Sequence, residues 1–358
     1  MTDSDRPRVW VPRRVVATPP SYDHPHGRRI MARIEALGIE VERLRSARLT
    51  GVRGDSDRET YARAKNTMAI VVSPPSRRRL QPIAPSADWR FDLAEGCPAH
   101  CQYCYLAGSL SGPPVTRVYA DLDDILDGLT EYAGQGTVTS RRAARRDEGT
   151  TFEASCYTDP LALEHLTGSW RRAVQHFGAW DAPVQLRWTT KFDDVDTFVG
   201  LDHHRRTRVR FSVNCLPVTT RFEGGTSRLE ARLAALRRLA LDGYPVGLTI
   251  APIMPVDDWR SAYTNLLTAV AAAVHGVPAL DLTAELITHR FTPGSKDVLL
   301  SWYPRTHLEM NEQTRTPKHG KFGALKYVYP APLMADLRTW FASEIPRHLP
   351  TCRILYWT

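Results

Sequence analysis

The chain has no long apolar run. Of its 358 residues 42% are hydrophobic, yet no segment reaches the roughly 18 to 20 apolar residues that a bilayer-spanning helix needs. The opening stretch MTDSDRPRVWVPRRVV is charged and broken by proline where a secretory leader would carry an apolar core. That predicts no leader, no membrane partner and residence in the cytoplasm. Acidic residues are outnumbered, 39 Asp and Glu against 47 Lys and Arg, for a net charge of +8. Such an excess favours phosphate-rich partners, although arginine groups such as Arg77-Arg78-Arg79 and Arg141, Arg142, Arg145 and Arg146 equally suit a solvated face. Cysteine is scarce: there are six, three of them within eight positions. In a compartment that keeps thiols reduced, such crowding points to metal binding or catalysis and away from disulfides.

The crowded stretch reads Gly96-Cys97-Pro98-Ala99-His100-Cys101-Gln102-Tyr103-Cys104-Tyr105. A four-iron, four-sulfur (4Fe-4S) cluster normally takes four protein thiolates, so a loop offering three leaves one iron open to a ligand that is not protein. Zinc would want a fourth ligand in tetrahedral array, and His100, directly before Cys101, is awkwardly placed to supply it. Bare thiols on a loop would be open to oxidation. A basic DNA-binding protein stabilised by zinc therefore stands as the alternative from another class. The C-x3-C-x2-C spacing with its trailing aromatic, Tyr105, resembles the radical S-adenosylmethionine (SAM) superfamily. There the open iron chelates the amino and carboxylate groups of SAM.

Residues 1–87, rich in Pro and Arg, predict an N-terminal extension packed on the core, with a short helix over 28–37 and a strand over 68–72. From 88 to 358 the period alternates between strand and helix. Strands are expected at 89–93, 151–156, 184–189, 208–213, 246–253 and 280–287. The helices after them are expected at 122–132, 161–177, 195–200, 229–241, 259–274 and 296–302. Ser227, with Glu230 three residues on, reads as a capping box. Six such units in succession predict an α/β fold with a parallel sheet and right-handed crossovers, too short for a closed eight-fold barrel. A partial (β/α)6 TIM-like barrel of the radical SAM type fits. Chemistry in such folds gathers at the carboxyl ends of strands, where Cys156, Lys191, Ser212, Ala251 and Arg290 fall. Residues 134–150, polar and arginine-rich, read as an exposed loop. Residues 309–329 suggest a hairpin with Lys318, Lys321 and Phe322 at its tip, cations around one aromatic as suits a wedge into nucleic acid. The plain alternative is a surface hairpin whose Phe322 packs on the barrel. A helix over 333–343 and a strand over 352–356 finish the chain.

By itself Cys156 is more often a small buried hydrophobe than a reagent. The run GCPAHCQYCYL, the FEASC-x-TD segment followed by LEHLT, then WTTKF, RFSVN, GGTSRLEARL, GLTIAPI, ELITHRFTP, WYPRTHLEMNE and GKFGALKYVY together resemble the spore photoproduct lyase family. The resemblance covers about residue 89 onward. It implies a DNA-repair lyase that uses a 4Fe-4S cluster and SAM to return the spore photoproduct, 5-thyminyl-5,6-dihydrothymine, to two thymines. A 5'-deoxyadenosyl radical takes hydrogen from C6 of the dihydrothymine half, the bond between the bases breaks, and a thymine radical is left needing one hydrogen atom. It further implies Cys97, Cys101 and Cys104 on the cluster, Cys156 as hydrogen donor, and Tyr103 and Tyr105 as the relay that refills the thiyl. Lys191 and Ser212 fall near the SAM carboxylate, Thr158 near its amino end and the Ala251 backbone on adenine. A thiol donor should not have the depressed pKa of a nucleophilic cysteine; Asp159 nearby and no neighbouring Lys or Arg agree. DNA carrying a thymine photolesion and a reductant such as flavodoxin or ferredoxin are the implied partners, and the chain is expected to be a monomer. Lys321-Phe322 stands where the family has Arg-Tyr, so charge and ring are kept while the bidentate guanidinium and the hydroxyl are lost. A different nucleic-acid lesion or modified base is the runner-up substrate.

Overall fold

The computed structural model describes residues 9–110, 112–139, 143–320 and 323–358. The chain divides into two compact units, one of residues 1–98, 112–190 and 194–209, the other of 99–111, 191–193 and 210–358.

The first unit opens on a five-stranded sheet in the order Val41–Arg43, Arg14–Ala17, Thr67–Val71, Thr116–Tyr119, Ala94–Glu95. The first four strands are parallel and the last is antiparallel. Val15, Val16 and Ala17 pair with Met68, Ala69 and Ile70, and all six are buried; the short unbroken apolar runs are those of strands covered on both faces. The N-terminal quarter thus supplies three of the five strands, among them the single strand expected there, and Thr116–Tyr119 and Ala94–Glu95 complete the sheet.

A second run in this unit takes Gln81–Ile83 antiparallel to Ala87–Arg90, which lies parallel to Thr150–Glu153, itself parallel to Val184–Thr190. Between these strands, 134–150 differs from an exposed loop in its described part. Ala143–Glu148 is a 3-10 turn whose Arg145 is buried. The Arg145 guanidinium donates to the carbonyls of Pro85 and Ser86, each at 2.9 Å, and pairs with Glu148 at 2.8 Å. Arginine at such a position reads as surface in a sequence because its buried acceptors are backbone atoms 60 residues away.

Three expected helices change form. The one over 122–132 is α-helical for Leu122–Asp127 and continues as a 3-10 turn from Gly128. The one over 161–177 is split into Glu164–Thr167 and Ser169–Ala179 by Gly168, whose φ of 65° is left-handed. Residues 195–200 form turns only, since six residues rarely repay helix nucleation.

Strand Thr207–Val213 begins in the first unit and ends in the second. The second unit continues with Val246–Ile253, Leu282–Thr288 and Arg353–Trp357, parallel in that order. Helices Leu229–Leu241, Trp259–Val274, Pro293–Trp302 and Ala331–His348 accompany them. The capping box expected at Ser227 is absent: Arg228 is the N-cap without a side-chain cap, and the Ser227 hydroxyl is drawn to Asp193 instead. A box does form at Thr292 and Ser295, opening the Pro293–Trp302 helix. The hairpin is Thr316–His319 against Leu325–Val328.

Candidate active site

In the first unit, Cys97 and Cys156 lie just beyond two strand ends. Gly96 makes the turn into the cysteine loop with a φ of +82°, and a Cβ there would lie 2.4 Å from the Val115 carbonyl oxygen. Behind the loop, the Lys65 ammonium donates to the Cys97 carbonyl at 2.5 Å. Cys156 follows Thr150–Glu153 in a turn and is buried; Cys97 is half-buried. The Thr158 hydroxyl donates to the Gly96 carbonyl at 2.5 Å, so the segment carrying Cys156 is tied to the residue before Cys97. Asp159, also buried, accepts from the Thr190 hydroxyl at 2.6 Å.

Cys101 and Cys104 belong to the second unit. Cys101 pairs with Glu223, and His100 with Gly224, in a two-residue antiparallel bridge. The Glu223 carboxylate is a hub. It accepts from the Tyr103 hydroxyl and lies 3.4 Å from the Lys191 ammonium and 2.6 Å from the Arg232 guanidinium. Lys191 also donates to the Ser212 hydroxyl and sits 5.5 Å from the centre of the Tyr103 ring. Arg232 is buried and donates to the carbonyls of Ser212 and Ser227, each at 2.9 Å. Burial would raise the Glu223 pKa, but Lys191 and Arg232 outweigh it and hold the carboxyl below its ordinary range. Burial, then the Glu223 charge, keeps the Tyr103 phenol well above its ordinary value.

The structure thus brings Tyr103, Lys191 and Ser212 together. Glu223 and Arg232, which do it, escape a reading of the sequence. Their one signal was the charged residue before the two glycines and the arginine on the inner face of the following helix.

Ala251 is half-buried near the end of Val246–Ile253. Beside it, the Asn214 amide donates to the Pro252 carbonyl at 2.7 Å, and the Tyr263 hydroxyl donates to Asn214 at 2.9 Å while accepting from the Met254 N–H at 2.9 Å. Tyr105 is 61% exposed, on a turn that packs against the Pro293–Trp302 helix. Lys318 is exposed and faces Lys326 in the hairpin register; Arg290 is exposed after the Leu282–Thr288 strand. Lys321 and Phe322 lie outside the described residues.

The model of the family described as spore photoproduct lyase matches residues 10–358. The chain belongs to the spore photoproduct lyase family. It is 37% identical to the spore photoproduct lyase of Geobacillus sp. (strain Y412MC61), over 98% of this chain and 100% of that one. To the enzyme of Bacillus subtilis (strain 168) it is 35% identical, over 98% and 99%. A solved spore photoproduct lyase mutant with bound AdoMet and dinucleoside spore photoproduct superposes with a TM-score of 0.89 at 34% identity, covering 98% of this chain and 99% of that one. Another, complexed with dinucleoside spore photoproduct, does so with a TM-score of 0.89 at 35% identity over 97% and 99%.

Membership of the spore photoproduct lyase family makes the chain a radical SAM enzyme that splits the spore photoproduct, and it replaces the zinc-protein alternative. The fold is the radical SAM α/β fold expected. The donor set suits the cofactors: Cys97, Cys101 and Cys104 are free of disulfides, and Lys191 beside the Ser212 hydroxyl suits a carboxylate. No helix among the described residues is long and apolar enough to cross a membrane.

Proposed function

We propose that the chain repairs the spore photoproduct in DNA with Cys156 as the hydrogen donor. The observation that carries this assignment is a buried, disulfide-free thiol tied through Thr158 to the residue before Cys97. Cys97, Cys101 and Cys104 would hold the 4Fe-4S cluster, Lys191 and Ser212 the SAM carboxylate, Thr158 its amino end, and the Ala251 backbone its adenine. With both groups bound, they would supply the radical chemistry that removes the C6 hydrogen of the dihydrothymine half. Once the bond between the bases has broken, Cys156 gives its S–H hydrogen to the thymine radical. Tyr103 and Tyr105 would then pass a hydrogen atom to the thiyl, the tyrosyl left behind recovering its own from the 5'-deoxyadenosine formed in the first step, and Glu223 keeps the Tyr103 hydroxyl oriented.

Lys318, Lys321, Phe322 and Arg290 would meet the DNA. Lys318 opposite Lys326 is a like-charge pair that costs stability in a bare hairpin, which supports a phosphate as its counter-charge. A one-electron donor such as flavodoxin or ferredoxin, a monomeric state and the cytoplasm complete the reading, and six cysteines outside disulfides suit a reducing compartment.

Reduced, reconstituted protein given SAM and the dinucleotide lesion without oxygen should yield thymidylyl-thymidine. Cys156→Ala should still cleave SAM while its clean repair falls by about tenfold or more, the scale of a lost reacting group, with the substrate radical diverted to side products. Clean turnover by that variant at the parent rate removes Cys156 from the reaction.

A further inference from the structure

Tyr157, the residue after Cys156, is held by two arginines. The Arg77 guanidinium lies 4.5 Å from the centre of its ring and that of Arg90 4.9 Å, and Arg90 Nη1 donates to the Tyr157 hydroxyl at 2.8 Å. Two cations on one ring repel each other, so the arrangement needs compensating charge. It has it on the Arg77 side, where the guanidinium pairs with Glu95 and lies 3.4 Å from Asp92. Asp92 and Glu95 are both buried. Glu95 stands two residues before Cys97, so Arg77 joins the approach to the cysteine loop to the residue after the donor thiol. With Thr158 bound to Gly96, the Cys156–Thr158 turn is fastened at two consecutive residues to the strand end that leads into Cys97.

We propose that Tyr157 is a positioning residue: its ring, gripped by Arg77 and Arg90, sets where the Cys156 thiol stands when the thymine radical forms. The proposal rests on Cys156 being the hydrogen donor. Tyr157 need not touch the lesion for this. A displacement of about 1 Å at a reacting group costs on the order of 10²-fold in rate, and a thymine radical left waiting reacts elsewhere. Folding alone does not call for two arginines on one half-buried tyrosine, since a solvated tyrosine would serve a plain turn equally well.

The test uses reconstituted holoenzyme with reductant, SAM and dinucleotide spore photoproduct under anaerobic conditions. It compares the parent, Tyr157→Leu, Tyr157→Phe and Arg90→Met. In Tyr157→Leu the 5'-deoxyadenosine formed per thymidylyl-thymidine should rise about threefold or more, a modest part of that positional penalty. Peptide-resolved alkylation of Cys156 should quicken by a similar factor, while iron content and SAM affinity stay at the parent values. Tyr157→Phe, which keeps the arginine–ring contacts, should fall between parent and Leu. Arg90→Met should move both readouts the same way and stands in for Tyr157→Leu if that variant loses its cluster. A parental product ratio and parental alkylation rate in Tyr157→Leu or Arg90→Met overturn the proposal. Clean repair by Cys156→Ala overturns the donor assignment, and this proposal with it; a parental Tyr157→Leu beside a defective Cys156→Ala overturns only this one.

Discussion

Glu223 shows what one side chain can hold together. It is buried with Lys191 and Arg232 against it, and its other role is to orient the Tyr103 hydroxyl. Removing the carboxylate takes the buried counter-charge from Arg232, and breaking a buried pair from one side costs on the order of 3 to 5 kcal/mol. Glu223→Ala should therefore lower the free energy of denaturant unfolding by that amount, and Glu223→Gln by less because the amide still accepts from Tyr103. Equal stability for Glu223→Ala and the parent would mean that the hub contributes nothing. Arg232 leaves little legible signal in the sequence for a physical reason. Helix Leu229–Leu241 presents Leu229, Leu233 and Leu236 to the interior, and an arginine on that stripe looks misplaced until its carbonyl and carboxylate partners are seen.

Among the elements, the hairpin depends on Arg315 at its foot. This buried guanidinium donates to Glu309 at 2.7 Å and to the His289 carbonyl at 3.1 Å, and it lies 3.7 Å from the centre of the Tyr329 ring. Phe291 bridges Tyr327 on the returning strand. A two-stranded hairpin is marginal alone, so these contacts set its stability. Arg315→Met should speed amide hydrogen exchange across 316–328 by about tenfold, the effect of losing roughly 1.4 kcal/mol of local stability, without changing exchange in Leu282–Thr288. Unaltered hairpin exchange would show that Arg315 does not anchor it. The elements most legible in the sequence were long ones bounded by turn residues: Val246–Ile253, Leu229–Leu241 and Trp259–Val274 stand where the periodicity puts them. Strands such as Val41–Arg43 and Ala94–Glu95 span three and two residues, too few to show any period.

At the scale of the whole molecule, buried histidines make stability depend on acid. His26 donates to or accepts from Ser169 at 2.9 Å, and burial lowers its pKa to about 4; burial and Arg315 lower that of His289 to about 3. An unfolded histidine takes a proton near 6.5, so between 6.5 and these lower values protons favour the unfolded chain. The stabilisation is complete above 6.5 and is lost as the pH falls toward 4 and 3. Burial works the other way at Asp92, raised to about 6, and Glu164, raised to about 7. These two bind protons more readily folded than unfolded, and they favour the native state as the pH drops. His26→Gln isolates one contribution: between pH 6.5 and 4 its unfolding free energy should decline less steeply than that of the parent, by on the order of 3 kcal/mol in total. Parallel pH profiles for the two proteins would place His26 outside the acid response.

The sequence alone determined the chemistry class through its resemblance to the spore photoproduct lyase family, because the C-x3-C-x2-C spacing and the FEASC segment that carry the resemblance are local patterns. It also determined most of the strand and helix order, since periodicity is local too. Only the tertiary structure decided which charges meet. Tyr103 and Glu223 are 120 residues apart, and Arg77, Arg90 and Tyr157 come from three separate segments. Pairings of that reach leave no period or spacing in the chain, because what selects them is the cost of burying a charge without its counterpart.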